Sequence, residues 1–104
     1  MKKSVYGCAN SLLTLAAHEE AALAGLIRVV EDGHTIVFVQ DILVRPQFQR
    51  RGIGSALLQA VLNRYAGVRQ IELFTDDTPE TAAFYRSMGF RELTELGCRG
   101  FMKI

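Results

Sequence analysis

Gln49-Arg50-Arg51-Gly52-Ile53-Gly54 is the stretch that decides the fold of this 104-residue chain. It follows the apolar run Ile42-Leu43-Val44, which is closed by Arg45 and Pro46. It opens a segment in which Ile53, Ala56, Leu57, Ala60, Val61 and Arg64 recur at helical spacing, only the last of them polar. The turn therefore joins a strand to a long helix. Two glycines and two arginines at a helix start also make a place for a doubly charged phosphate. Backbone N–H groups point outward there, and the helix dipole adds partial positive charge. Glycine lets the main chain approach such a group without a Cβ in the way.

Upstream, residues 12–17 read as a short strand with a polar turn at His18-Glu19-Glu20. Residues 22–30 and 35–44 are rich in Val, Ile and Leu and read as strands. Between them, Asp32-Gly33 is a hairpin signal, because glycine accepts positive φ. Downstream, the helix is expected over residues 52–65, with Gly67 just past its end. Residues 70–74 read as a buried strand. Thr78-Pro79-Glu80 starts a second helix, since Thr caps, Pro fits the first turn and Glu suits the dipole. Phe84, Tyr85 and Met88 lie on that helix, Gly89 ends it, and Phe90 is placed to pack back on it. One or two short strands are expected around Gly97 and Gly100. The whole is an α/β fold with a mixed sheet, antiparallel strands first and a βαβ unit later.

The length is that of one domain, residues 1–104, and 49% of the residues are hydrophobic. A formal net charge of +1 argues against a general nucleic-acid binder. No run approaches the roughly 18 apolar residues of a membrane span. Lys2 and Lys3 precede a mildly apolar stretch, but residues 11–17 are too short for a secretory core and Asn10 interrupts them, so the expected compartment is the cytoplasm. Cys8 and Cys98 match no metal or redox spacing and read as free thiols; no metal is expected.

Two phosphate ligands compete for the glycine turn. A dinucleotide is favoured by Gly52-x-Gly54 and by Glu72, twenty residues beyond Gly52. Against it, Leu57 occupies the third glycine position, and the strand ends at Pro46, well before the turn. The other ligand is the diphosphate of coenzyme A. Ile42-Leu43-Val44-Arg45-Pro46 followed by Gln49-Arg50-Arg51-Gly52-Ile53-Gly54 resembles the acyl-CoA signature of the GNAT superfamily of N-acetyltransferases. Phe84-Tyr85-Arg86-Ser87-Met88-Gly89-Phe90 is similar to the same family's F-Y-x-x-x-G-F element, in order and at a fitting separation. The resemblance covers roughly residues 12–104.

This resemblance implies a GNAT-like fold with a splayed central strand and acetyl-CoA as co-substrate. It implies transfer of the acetyl group to a primary amine, on a small molecule or a peptide, by direct attack. The amides of Arg50, Arg51, Gly52, Ile53, Gly54 and Ser55 would hold the diphosphate, with Gln49 contacting it or bracing the loop. The strand Ile42, Leu43, Val44 would pair with the pantetheine arm, and the Leu43 N–H would face the thioester oxygen. Tyr85 matches the family tyrosine that hydrogen-bonds the departing sulfur. Thr78 stands where many relatives place an asparagine that touches the cofactor, although a helix cap also explains it. For the base, Asp41 and then Glu72 are the candidates, and either can instead be solvated or ion-paired. His18 and His34 fall in turns, and Asp76 and Asp77 precede a helix, so all four read as structural or inert.

The sequence departs from the family at the front, where a strand and one or two helices usually precede the first hairpin. A homodimer is expected to supply the missing wall of the acceptor pocket, with Val5, Tyr6, Leu12 and Leu13 as contacts. The alternative function is a coenzyme A-binding regulatory module without catalysis.

Overall fold

The computed structural model describes residues 12–32 and 35–104. They fall into two compact units, the first ending at Phe74 and the second running Thr75–Ile104. The predicted contacts Val5 and Tyr6, the hairpin residues Gly33 and His34, and Cys8 lie outside the described residues.

The first unit is a four-stranded sheet in the order β1-β2-β3-β4 with one helix. β1 (Leu12–Glu19) pairs antiparallel with β2 (Ala22–Glu31), and β2 pairs antiparallel with β3 (Ile36–Val44). β1 runs two residues further than its sequence suggested, so His18 lies on the strand end and not in the turn. Asp32 ties the β2–β3 connection: its Oδ1 accepts the amide protons of Thr35 at 2.8 Å and Ile36 at 3.1 Å. A 3₁₀ turn (Pro46–Phe48) leads into α1 (Ile53–Arg64), and β4 (Gln70–Leu73) then pairs parallel with β3. β3-α1-β4 is thus the expected βαβ unit.

α1 covers one face of the sheet. Leu57, Leu58 and Val61 from the helix are buried with Ile27, Val29, Val37 and Val39 from β2 and β3. Burying side chains of this kind stabilises by about 1.5–3 kcal/mol each. The helical stripe is rotated from the expected one: Leu58 is fully buried, whereas Ala56 and Ala60 are exposed. Leucines reach the sheet where alanines do not. Tyr65, just past α1, is buried, and its hydroxyl donates to Glu31 Oε2 at 3.3 Å.

The second unit holds α2 (Pro79–Ser87) and a 3₁₀ turn (Leu93–Leu96). Thr78 caps α2 as its sequence predicts, its hydroxyl accepting the Thr81 amide proton at 3.2 Å. At the other end Gly89 has φ +96°. The Phe90 and Gly89 amides donate to the Tyr85 and Arg86 carbonyls, both at 3.0 Å, and this closes the helix. Phe90 folds back on Tyr85, ring centroids 5.9 Å apart.

The strands expected around Gly97 and Gly100 are absent among the described residues. Glu92 and Glu95 form a reciprocal cap that winds Leu93–Leu96 into a 3₁₀ turn, and Gly97 ends it at φ +78°. Arg86 fixes the turn from α2, reaching Glu92 Oε2 at 2.6 Å and Glu95 Oε1 at 3.1 Å. Among the described residues no helix is long and apolar enough to cross a membrane.

Candidate functional site: an amide-lined turn and a half-paired strand

The turn before α1 has two residues in the left-handed region, Arg50 at φ +66° and Gly52 at φ +78°. Glycine adopts that conformation freely, whereas arginine does so at a cost of about 1–2 kcal/mol. Strain of this kind gathers at ligand clamps. A Cβ built on Gly52 would meet nothing within 4 Å, so the outer side of the turn is open. The first intrahelical bond runs from the Ala56 N–H to the Gly52 carbonyl at 3.0 Å. The amides of Ile53, Gly54 and Ser55 precede it and have no acceptor within the helix. No side chain caps them. The Arg51 guanidinium lies 5.4 Å from the centre of the Phe48 ring.

Gln49 does not point away from the fold. Its Nε2 donates to the Val44 carbonyl at 3.1 Å and ties the turn to the end of β3. This is the bracing role the sequence left open for it.

β3 is paired unequally along its length. Ile36–Val39 lie between β2 and β4, but the parallel ladder stops at Val39 opposite Leu73. From Gln40 onward, among the described residues, β3 is paired with β2 alone. A bulge marks the change: Val29 faces Val39, yet Arg28 faces Asp41, so Gln40 is the extra residue. The bulge inverts the strand beyond it. In an antiparallel ladder, alternate residues turn both N–H and C=O toward the same neighbour. The Arg45 amide donates to the Ala24 carbonyl at 2.8 Å, so Arg45, Leu43 and Asp41 turn their main-chain groups to β2. A Cβ on Gly25 would come within 2.6 Å of the Leu43 carbonyl oxygen, which places that oxygen on the same side. Ile42 and Val44 therefore turn theirs to the edge that β4 vacates. The sequence assigned the outward N–H to Leu43. That holds for an unbroken register, and the bulge moves it to Ile42 and Val44.

The bulge also decides Asp41. Without it, Arg28 would face Gln40, and Asp41 would point toward the core. With it, Arg28 Nε and Nη2 meet Asp41 Oδ2 at 3.0 and 2.9 Å on the face opposite α1. Asp41 is thus ion-paired through Oδ2, one of the fates the sequence left open for it. Glu72 is half-buried on β4 beside Phe38 of β3. His18 and Asp76 and Asp77 are exposed.

Tyr85 lies on α2 in the second unit, flanked by the Phe84 and Phe90 rings. Burial pushes its phenol above the usual value near 10. Arg28 and the Gln40 bulge were missed by sequence reasoning. The available signals were two consecutive polar residues, Gln40 and Asp41, inside an apolar strand, and a glycine, Gly25, inside its neighbour.

Residues 10–92 match the family model of the acetyltransferase (GNAT) domain. Mycothiol acetyltransferase of Kineococcus radiotolerans is 40% identical over 85 residues, covering 79% of this chain and 28% of that protein. The ribosomal protein bS18-alanine N-acetyltransferase of Salmonella typhimurium is 33% identical over 79% of this chain and 55% of that protein. The chain thus spans between about a quarter and about a half of the length of these curated relatives. Among solved structures, a GNAT-family acetyltransferase from Streptococcus pneumoniae superposes with TM-score 0.86 at 39% identity, over 100% of this chain and 79% of that one.

Proposed function

The chain belongs to the GNAT acetyltransferase family, and from that premise we propose that it transfers an acetyl group from acetyl-CoA to a primary amine. One observation carries the reading: an open strand edge and an amide-lined helix start follow each other in the chain and are tied together by Gln49. These features suit a ligand that has an extended arm and a diphosphate. Bound acetyl-CoA supplies an activated acyl thioester.

The diphosphate is assigned to the amides of residues 50–55 and the guanidinium groups of Arg50 and Arg51. The pantetheine arm is assigned to the outward main-chain groups of Ile42 and the outward N–H of Val44, whose carbonyl already accepts from Gln49, with Leu43 between them. The Ile42 N–H then faces the thioester oxygen, and one such donor in a water-poor site contributes about 3–4 kcal/mol. Thr78 is assigned a place near the cofactor only through its position, because its hydroxyl already caps α2. Tyr85 donates the proton that the sulfur takes up; a phenol held above its ordinary value stays protonated at neutral pH. In the balanced reaction a C–N bond forms and the C–S bond breaks. The acceptor's ammonium gives one proton to Asp41 or Glu72, directly or through water, before attack, and the second proton, shed as the amide forms, restores Tyr85. Tyr85→Phe is expected to lower turnover about a hundredfold with little change in acetyl-CoA affinity, read from steady-state kinetics and calorimetry.

A second copy of the chain is proposed to wall the acceptor side along β1, where Leu12 is exposed and Leu13 half-buried. Light scattering at micromolar concentration checks this, and a clean monomer rejects it. The function itself is tested by thiol release from acetyl-CoA across a panel of amines and peptides. Release above background supports the enzyme. Tight coenzyme A binding with no turnover on any amine would favour a non-catalytic coenzyme A-binding module.

A further inference from the structure

The face of the sheet opposite α1 carries an ion pair set between apolar neighbours. Arg28 and Asp41 face each other across β2 and β3. Leu26 faces Leu43 on one side of them, and Val30 faces Phe38 on the other. Both Arg28 contacts go to the same oxygen, Asp41 Oδ2. Asp41 Oδ1 and Arg28 Nη1 have no hydrogen-bond partner among the described residues. The two side chains are 44% and 38% exposed, and a pair this exposed adds little to stability. Its charges are therefore available to a ligand at little cost.

We propose that this pair selects the acceptor, and that the acceptor is an amino acid with an apolar side chain. The inference rests on the thioester lying along the open edge of β3. An arm paired there as an added strand lies in the plane of the sheet. An amine attacks an acyl carbon from above or below the acyl plane, hence along the normal to the sheet. One face of the sheet is covered by α1, which packs over β1, β2 and β3 and buries Leu57, Leu58 and Val61. On the other side stand Asp41, one residue before Ile42, and its partner Arg28. Asp41 Oδ1 accepts from the acceptor's ammonium, and Arg28 Nη1 donates to its carboxylate. The exposed Leu43 and its neighbour Leu26 receive the side chain. Two opposite charges side by side complement a group in which ammonium and carboxylate are separated by one carbon. They do not complement an amine alone.

The test compares leucine with leucinamide, which keeps the amine and the side chain but lacks the carboxylate. Calorimetry is run on protein saturated with coenzyme A, and kcat/KM is measured with acetyl-CoA. Leucine is expected to bind at least tenfold tighter than leucinamide, with at least a tenfold higher kcat/KM. Arg28→Gln should remove that gap, and Arg28→Lys should restore part of it. Neither change should alter coenzyme A affinity. Equal binding of leucine and leucinamide, no heat from either, or a gap that survives in Arg28→Gln would each overturn the proposal. The leucine–leucinamide comparison on the unmodified chain decides the matter even if the variant is unstable. Failure of the underlying reading looks different, because coenzyme A itself then gives no heat.

Discussion

The two halves of β3 are built from the same residue types and do different work. Val37 and Val39, 0% and 4% exposed, are sealed between two neighbouring strands and α1. Leu43, four residues further on, is 58% exposed, and among the described residues the strand around it has one neighbour and one open edge. The first half holds the molecule together. The second half leaves main-chain groups on an edge that no described strand covers. One inserted residue, Gln40, separates them, and hydrophobicity alone does not tell them apart. A strand's function is written in its pairing.

The strongest way to break this distinction is a pair of proline substitutions. Ile42→Pro deletes an N–H that faces the open edge, so the ladder with β2 survives and the thioester loses its donor. Turnover is expected to fall about 10²–10³-fold, the loss associated with one such donor, while the melting temperature falls less than in Leu43→Pro, by the lost packing of the half-buried Ile42 side chain. Leu43→Pro instead deletes an N–H directed at β2 and should unfold the end of the strand. If Leu43→Pro were the variant that kept its stability and lost its turnover, the outward amides would be misassigned.

A smaller effect comes from truncating side chains. Val37→Ala is expected to destabilise by about 2 kcal/mol, from lost burial and a residual cavity. Leu43→Ala should change stability by less than about 0.5 kcal/mol, as for an exposed position. Denaturant unfolding of both variants gives the comparison. Equal losses would show that the second half is packed like the first.

The smallest effect is at Arg50. Arg50→Gly relieves a left-handed arginine, worth about 1–2 kcal/mol, and adds a glycine to the unfolded chain at a cost of about 0.5–1 kcal/mol. Stability should hardly move. Coenzyme A affinity should fall about fivefold, as for one exposed ion pair, and less at high salt. Unchanged affinity would detach Arg50 from the diphosphate.

Much of this architecture is legible in the chain. Hydrophobic period separates the strands from α1, Asp32 marks the hairpin between β2 and β3, and Thr78 and Gly89 bracket α2. The turn from Gln49 to Gly54 suggests the proposed anion site through residue types alone. Three features are not legible, because each depends on a partner distant in sequence. The Gln40 bulge is defined by β2, and it reverses which amides face outward and brings Asp41 to Arg28. The buried stripe of α1 is set by the sheet beneath it, which chooses Leu58 over Ala56 and Ala60. The turn at Leu93–Leu96 depends on Arg86 and on a glutamate pair that compete with the extended conformation suggested by the flanking glycines.

Residue-resolved amide hydrogen exchange, with and without saturating coenzyme A, tests the central claim most directly. Without coenzyme A, the Leu43 amide should already be protected by β2, while those of Ile42, Val44, Ile53, Gly54 and Ser55 exchange faster. Coenzyme A should slow those five and leave Leu43 as it was. Protection that appears at Leu43 while Ile42 and Val44 stay unchanged, or no protection at the start of α1, would contradict it.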